Sequence, residues 1–396
     1  MLDVLDRVKS AYKQDSYEKT VVIRLYGQKS KIYPSTELLP SSSFFPSERV
    51  IPEHEFRNKD IVDESMSITE ALCEGDTISY RSCVASSLDI EITNVVADVQ
   101  DMEIQALQIV NGETVPLFNG IVDYAKKTGA KTRRKIKAYD YLYYRYKEDM
   151  TEWYNSLSFP MKCKDFRQAL YRAYSMSYAA QDLINDDIYI NKAEVQEISG
   201  RDLLQMIGEF NGAFVHMDRN SQIRYVSLDR YNYIYPSDEM LPGVRYPGAQ
   251  TDAHGFEQAS TYIDCEYGDY MVQEINRLSV KQGDVTIGTY GDGSNTYVIT
   301  NNILFSDMDA DVIQEVLAGI YTKIGGIYYV PHKTIIKGRP YVECGDVMSV
   351  KISEDKTIDT YIFKRTLKGV QSLRDTYEAD GEEYHSKMYE VEEWTE

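Results

Sequence analysis

Apolar and polar residues alternate with a period of two along most of the chain, the pattern of strands with one buried face, and the period turns helical only in short stretches. Residues 115 to 146, VPLFNGIVDYAKKTGAKTRRKIKAYDYLYYRY, give a strand, a basic turn, a second strand and a Tyr-rich helix without a gap. Residues 345 to 375, GDVMSVKISEDKTIDTYIFKRTLKGVQSLRD, repeat strand, charged turn and strand and add a short amphipathic piece, with little residue identity to the first copy. Two similar β units in one chain imply a building block used twice rather than a single catalytic pocket.

Ahead of the first unit, Leu5, Val8 and Tyr12 share one side of an N-terminal helix that is either a docking arm or a frayed end. VVIRLYG is a strand ending at Gly27, and the stretch through Pro34, Pro40, Pro46 and Pro52 is a long connection. SMSITEAL, TISYRSCVASSLDIEITN and MEIQALQIVNGETVPLFNG follow as strands. Asn111 and Gly112 form a hairpin turn, because both tolerate the positive φ of a type I′ turn. Residues 126 to 137 carry seven Lys or Arg and no acid. The alternation Lys135-Ile136-Lys137-Ala138 turns a basic face to water, which is either a surface for an acidic partner or a solvated hairpin tip.

The middle of the chain is α+β. Asp140 caps a helix carrying Leu142, Tyr146, Met150 and Trp153, and a second helix from Lys164 to Met176 turns Phe166, Leu170 and Ala173 inward. A third opens at Ser199, with Asp202 at the capping-box position, Leu203, Leu204, Ile207 and Phe210 behind it, and Gly212 as its stop. AFVHMD and QIRYVSL make a hairpin, and residues 229 to 256 are a linker or exposed loop. YIDCEY, INRLSVKQ, VTIGTYG and TYVITNN are strands again, interrupted by a helix of Val312, Val316, Ile320 and Ile324 between Asp309 and Gly325-Gly326. The last two dozen residues hold nine acids against two bases, an exposed tail.

Length and composition narrow the function. A chain of 396 residues implies two to four domains, and 43% hydrophobic content excludes overall disorder. The 34 tyrosines outnumber Phe and Trp together, which suits half-wet interfaces and equally suits outward positions on strands. A formal net charge of −20 argues against a general nucleic-acid binder. It fits a soluble protein or a conduit through which DNA slides without sticking. Cys73, Cys83, Cys163, Cys265 and Cys344 are odd in number and lack a CxxC pair, so they are expected to be reduced structural thiols. No apolar run long enough to span a membrane occurs.

No local motif carries chemistry. Asp307, Asp309 and Asp311 have the spacing of a calcium loop, but Val312 stands where the turn needs Gly and Ala318 where a bidentate Glu belongs, so they are helix-start acids. The glycines of GTYGDGSN lack the Lys-Ser/Thr pair of a phosphate loop. His54, His216, His254, His332 and His385 stand far apart, with His216 expected in the core. Catalytic, cofactor and metal residues are therefore none.

The ordered set SITEALCEGDTISYRSCVASSLDIEITN, VPLFNGIVDYAKK, KIKAYDYLYY, WYNSLSFPMKCKDFRQAL, EISGRDLLQMIGEFNGAFVHMDRNSQIRYVSL, YYVPHKTIIKGRPYVECGDVMSV and IFKRTLKGVQSLRDTYEADGEE resembles phage tail hub proteins. That family is often labelled prophage tail endopeptidase or tail-associated lysin, and the likeness spans nearly the whole chain. The resemblance implies an α+β, mostly β fold with two tail-tube-like antiparallel β-barrel domains around a middle α+β region. The divisions are an arm over 1–19, a first barrel over 20–140, the middle region over 141–255, a second barrel with one helix over 256–375, and an acidic tail over 376–396. It singles out Leu117, Phe118, Gly120, Tyr139, Asp140, Gly345, Asp346, Arg365 and Gly369 as structural motif positions, with Gly120 and Gly345 at strand ends where a Cβ would crowd.

The function it implies is a structural hub at the tip of a phage tail or tail-like particle. A homotrimer would present six similar barrels and adapt a hexameric tail tube to a threefold tip. Expected partners are tail tube or distal-tail ring proteins, the tape-measure C-terminus, and a spike or fibre protein, with DNA passing through the bore without specific binding and no membrane insertion. Assembly would occur in the bacterial cytoplasm, with the product at the virion tail tip. In many relatives a C-terminal extension carries lytic activity, and no such extension is expected after the Asp380-Gly381 turn. The competing reading is a cell-wall hydrolase or glycan-binding tail protein, and a bacteriocin or contractile injection particle shares the same tip mechanics.

Overall fold

Strict inward and outward alternation builds the centre of the molecule. In Ser67–Ala71 and Ser87–Ile92 every second side chain is buried, and the same holds for Arg134–Tyr139, His332–Lys337 and Arg374–Ala379. The computed structural model describes residues 2–382 apart from 3, 15–16, 28–30, 35–47, 76, 130–131, 146–147, 229–255, 260 and 355. The fold is α+β and mostly β, as the sequence implies.

Its main feature is one antiparallel sheet of eleven strands. In spatial order these are Asp264–Tyr267, His332–Lys337, Arg374–Ala379, Lys364–Lys368, Ser67–Ala71, Ser87–Ile92, Arg134–Tyr139, Glu113–Lys127, Glu103–Val110, Lys19–Tyr26 and His54–Arg57. Strands expected in two separate barrels therefore share one hydrogen-bonded ladder, joined where Ser67–Ala71 pairs with Lys364–Lys368. Among the described residues the ladder does not close on itself, since Asp264–Tyr267 and His54–Arg57 each pair on one side.

The second copy of the repeated unit differs from the first. Glu113–Lys127 and Arg134–Tyr139 pair within the large sheet, whereas Val347–Lys351 and Thr357–Tyr361 form a small sheet with Phe256–Ala259. Where a short amphipathic piece was expected after Leu367, the chain turns at Gly369 (φ +91°) and returns as the strand Arg374–Ala379. Residues 376–379, expected in the acidic tail, are therefore strand, and residues 383–396 lie outside the described part, as do residues 229–255 of the predicted 229–256 loop, whose last residue opens the strand Phe256–Ala259, and most of the proline-rich connection. The ends of that connection, Lys31–Pro34 and Glu48–Ile51, pair as short strands.

Helices clasp the sheet. The N-terminal helix Asp6–Lys13 is a docking element: Val8, Ala11 and Tyr12 are buried and Tyr12 Oη donates to Gln108 Oε1 at 2.6 Å, while Leu5 faces solvent. The helix expected from Asp140 through Trp153 is two short ones, Tyr141–Arg145 and Thr151–Ser156. Cys163–Ala173 buries Phe166 and Leu170 but leaves Ala173 exposed, with Tyr174 inward instead. Gly200–Phe210 has the expected capping box from Ser199 and Asp202, and Ala310–Ile324 follows Asp309 and ends at Gly325. Two apolar cores result. One lies under the first half of the sheet and takes in Leu367 and Leu373, and the other holds the helices, the small sheets and the rest of the second half.

A buried chain of charges crosses the junction. Arg365 and Glu70 are direct cross-strand partners with Nη1 3.1 Å from Oε2, and Arg365 also grips Asp375 through Nε at 2.9 Å and Nη2 at 3.2 Å. Arg219, from the turn of the middle-region hairpin, donates to both Glu70 oxygens at 2.8 and 2.9 Å and to the Val342 carbonyl at 2.8 Å. All four side chains are nearly free of solvent. The four charges alternate and cancel, and the forked geometry supplies the hydrogen bonds that offset their desolvation. Glu70→Ala strips two buried guanidiniums of their shared acid, and the expected loss is about 3–5 kcal/mol of stability, read as a fall in the urea midpoint.

Candidate functional site

The motif residues fall into three places. Leu117 and Phe118 are buried in the first core. Gly120 stands in mid-strand rather than at a strand end, and the crowding is real: a Cβ there would sit 2.1 Å from the Tyr139 carbonyl oxygen. Tyr139 stacks on Tyr143 at 4.1 Å, and buried Asp140 accepts from Ser86 N at 2.7 Å and from Leu142 N at 3.0 Å, the cap expected from sequence. Gly345 takes φ +94° in a turn, Asp346 accepts from Glu343 N at 2.8 Å, and Gly369 N donates to Met66 O at 2.9 Å. Only Arg365 belongs to the charge cluster across the junction.

Sequence reasoning missed the rest of that cluster. Glu70, Arg219 and Asp375 join it, and Arg224 pairs beside it with Glu343 at 3.0 Å. The signal was parity: Glu70 shares the inward face with Ile68, and Asp375 shares it with Tyr377 and Ala379.

The opposite face of the sheet is open to water. Lys337, Arg374 and Lys368 lie in one cross-strand row, and Lys333, Glu378 and Lys364 in another, where Glu378 holds Lys364 at 2.7 Å and Lys333 at 3.6 Å. The basic hairpin of the first half meets acids in its own chain, with Arg133 on Glu91 at 2.7 Å and Lys137 near Asp89 at 3.9 Å. Beside the edge strand Asp264–Tyr267, Ile263 and Met271 are exposed, at 61% and 52%.

Buried titratable groups are scattered. Burial pushes Asp140 up to about 7 and Glu209 up to about 7, although Glu209 accepts from Asn302 Nδ2 at 3.0 Å and Tyr297 Oη at 3.2 Å. Burial lowers His216 and His332 to about 4. His216 is a core residue, as expected, and His332 lies between Thr334 and the Tyr361 carbonyl. Among the described residues no three His, Cys, Asp or Glu side chains are placed to hold a metal ion, and no helix is long and apolar enough to cross a membrane. All five cysteines are free thiols.

No family profile and no curated protein matches the sequence. In three dimensions the chain is similar to the tail protein of Neisseria meningitidis MC58, with a TM-score of 0.50 at 11% identity over 91% of this chain and 96% of that one. It is also similar to the 43 kDa tail protein of prophage MuSo2 from Shewanella oneidensis, with a TM-score of 0.51 at 10% identity over 91% and 97% of the two chains. The fold is thus that of phage and prophage tail proteins, and the resemblance seen in the sequence holds at that level.

Two outcomes are expected. Gly120→Ala should lower stability by about 1–3 kcal/mol in urea unfolding, because backbone rather than a flexible side chain blocks the new methyl. Raised Asp140 and Glu209 make stability fall as pH rises from about 4 to 7, and the lowered histidines make it rise from about 4 to 6.5, so the two sets oppose each other. In Glu209→Gln the histidines are less opposed, and the urea midpoint should climb with pH across that window more steeply than in the parent.

Proposed function

We propose that this chain is a structural component of a phage tail or phage-tail-like particle, acting as a hub at the tail tip. The observation that carries the reading is the eleven-stranded sheet that joins both halves of the chain and whose two end strands, among the described residues, pair on one side only. Open edges attract further strands, and proteins that leave them bare usually meet a partner there. The two edges are different strands, so copies would meet head to tail and need a rotation that closes into a ring. The exposed Ile263 and Met271 beside one edge suit such a contact, and the tail-protein fold supports the setting.

On this reading three copies form the ring, adapt a sixfold tube to a threefold tip, and seat spike, fibre or tape-measure segments, with DNA passing through the bore. The motif residues are structural: Asp140 and Gly120 fix the turn after the first hairpin, and Arg365 fixes the junction. No catalytic role is assigned.

Light scattering with negative-stain imaging tests this. Particles of three times the 45.6 kDa chain mass with threefold symmetry are expected, free or on addition of a tail-tube ring. A chain that stays monomeric in both conditions while cleaving purified peptidoglycan would overturn the reading.

A further inference from the structure

The water-facing side of the junction carries an imbalance that the fold itself does not use. Of its two charged rows, the one through Glu266, Lys333, Glu378 and Lys364 sets two acids against two lysines. The other aligns Lys337, Arg374 and Lys368 as direct cross-strand neighbours, followed by Ser67. Like charges directly opposite oppose sheet formation. Lys19 adds a fourth cation: its ammonium and that of Lys337 approach the Tyr17 ring at 4.8 and 5.8 Å, and burial and Lys337 both weaken its proton affinity. None of the four forms an ion pair with a described carboxylate, although Lys337 Nζ donates to the Gln14 carbonyl.

Three of these cations, Lys19, Lys337 and Arg374, line an open cleft of about 400 Å³ together with Tyr17, Ile263 and Leu373, and Lys368 stands next to Arg374 across the strand pair. Its ligand must bring several negative charges and some apolar surface. A DNA duplex fits poorly, because a chain of net charge −20 repels a polyanion at range and a single recess does not follow a phosphate backbone. The chain supplies a better match. Residues 383–396 hold five acids and one lysine, and Glu390, Glu392, Glu393 and Glu396 flank Val391 and Trp394.

Reach permits the contact. Arg374 lies at the cleft, and the eight residues on to Glu382 span at most about 27 Å extended. The 14 residues after Glu382 extend to about 46–50 Å, enough to double back. Covalent attachment makes this an intramolecular encounter, so it does not have to overcome the repulsion that a separate polyanion meets at range.

We propose that this cleft is a docking site for the chain's own acidic segment 390–396, its carboxylates meeting Lys337, Arg374, Lys368 and Lys19 and its Val391 and Trp394 covering Ile263 and Leu373. The inference concerns a single chain and does not rest on the ring.

Zero-length carbodiimide cross-linking of the full chain, on an equal mixture of isotope-labelled and unlabelled copies, tests it. The expected result is links from Glu390, Glu392 or Glu393 to Lys337, Lys368 or Lys19 within one copy, falling at least fivefold in Arg374→Glu/Lys368→Glu. Both substituted side chains are exposed, so the fold should survive. In Trp153→Phe, Trp394 is the remaining tryptophan, and its acrylamide quenching should rise at least twofold when the same charge reversals are added. Links solely between differently labelled copies, quenching that the reversals do not change, or loss of the links on adding stoichiometric duplex DNA in physiological salt would each overturn the assignment.

Discussion

The pairing of Glu70 with Arg365 is the constraint on which the rest of the molecule depends. These residues sit opposite one another where, in the eleven-stranded sheet and among the described residues, strands from the two halves of the chain hydrogen-bond, and both side chains point into the dry side of the sheet. A buried ion pair is weak evidence for net stability, since comparable apolar packing often does as well. Its stronger effect is on alignment. Slipping either strand by one residue would turn its charge toward water and put Thr69 or Thr366 in its place, leaving the partner charge alone in the core. Asp375 and Arg219 extend the same logic to a third strand and to the middle region, so three parts of the chain are held to one geometry by four side chains.

The two faces of this junction have different work. The inner face satisfies every charge within the cluster and fixes the halves together. The outer face keeps charges hydrated, and there the balance varies from row to row: Glu266 and Glu378 offset Lys333 and Lys364, while Lys337, Arg374 and Lys368 stand side by side and the nearest acid of their row, Asp89, lies beyond Ser67. Alternation along a strand separates these roles by a single residue, so Lys364 and Arg365 are neighbours in sequence and belong to different environments.

Much of the fold was legible because it is local. The Asn111-Gly112 turn, with φ of +48° and +85°, the capping box of Ser199 and Asp202, the cap from Asp140 and the apolar stripe ending at Ile324 each depend on residues close in sequence. Failures came where tertiary context decided. Tyr146, Met150 and Trp153 keep helical spacing, yet Met150 N is drawn to the Ile198 carbonyl at 2.9 Å, which accompanies the split into two helices. Ala173 has the right period but ends the helix facing solvent, while Tyr171 and Tyr174 on either side of it are buried. The charge cluster was unreadable as a set, because its members at positions 70, 219, 365 and 375 meet only when the sheet forms. Their parity with Ile68 and Tyr377 was the one trace of it.

The junction also imposes an order on synthesis. As the chain leaves the ribosome, the Ser67–Ala71 strand can pair at once with Ser87–Ile92, but its other side must wait for residues 364–368, nearly three hundred positions later. Through that interval the nascent first half carries a bare edge and a carboxylate whose guanidinium partners arrive only with residue 219 and then residue 365. Such an intermediate invites non-native strand addition. The late arrival of Arg365 thus makes synthesis of residues 364–368 the event that protects the earliest-made strands of the sheet.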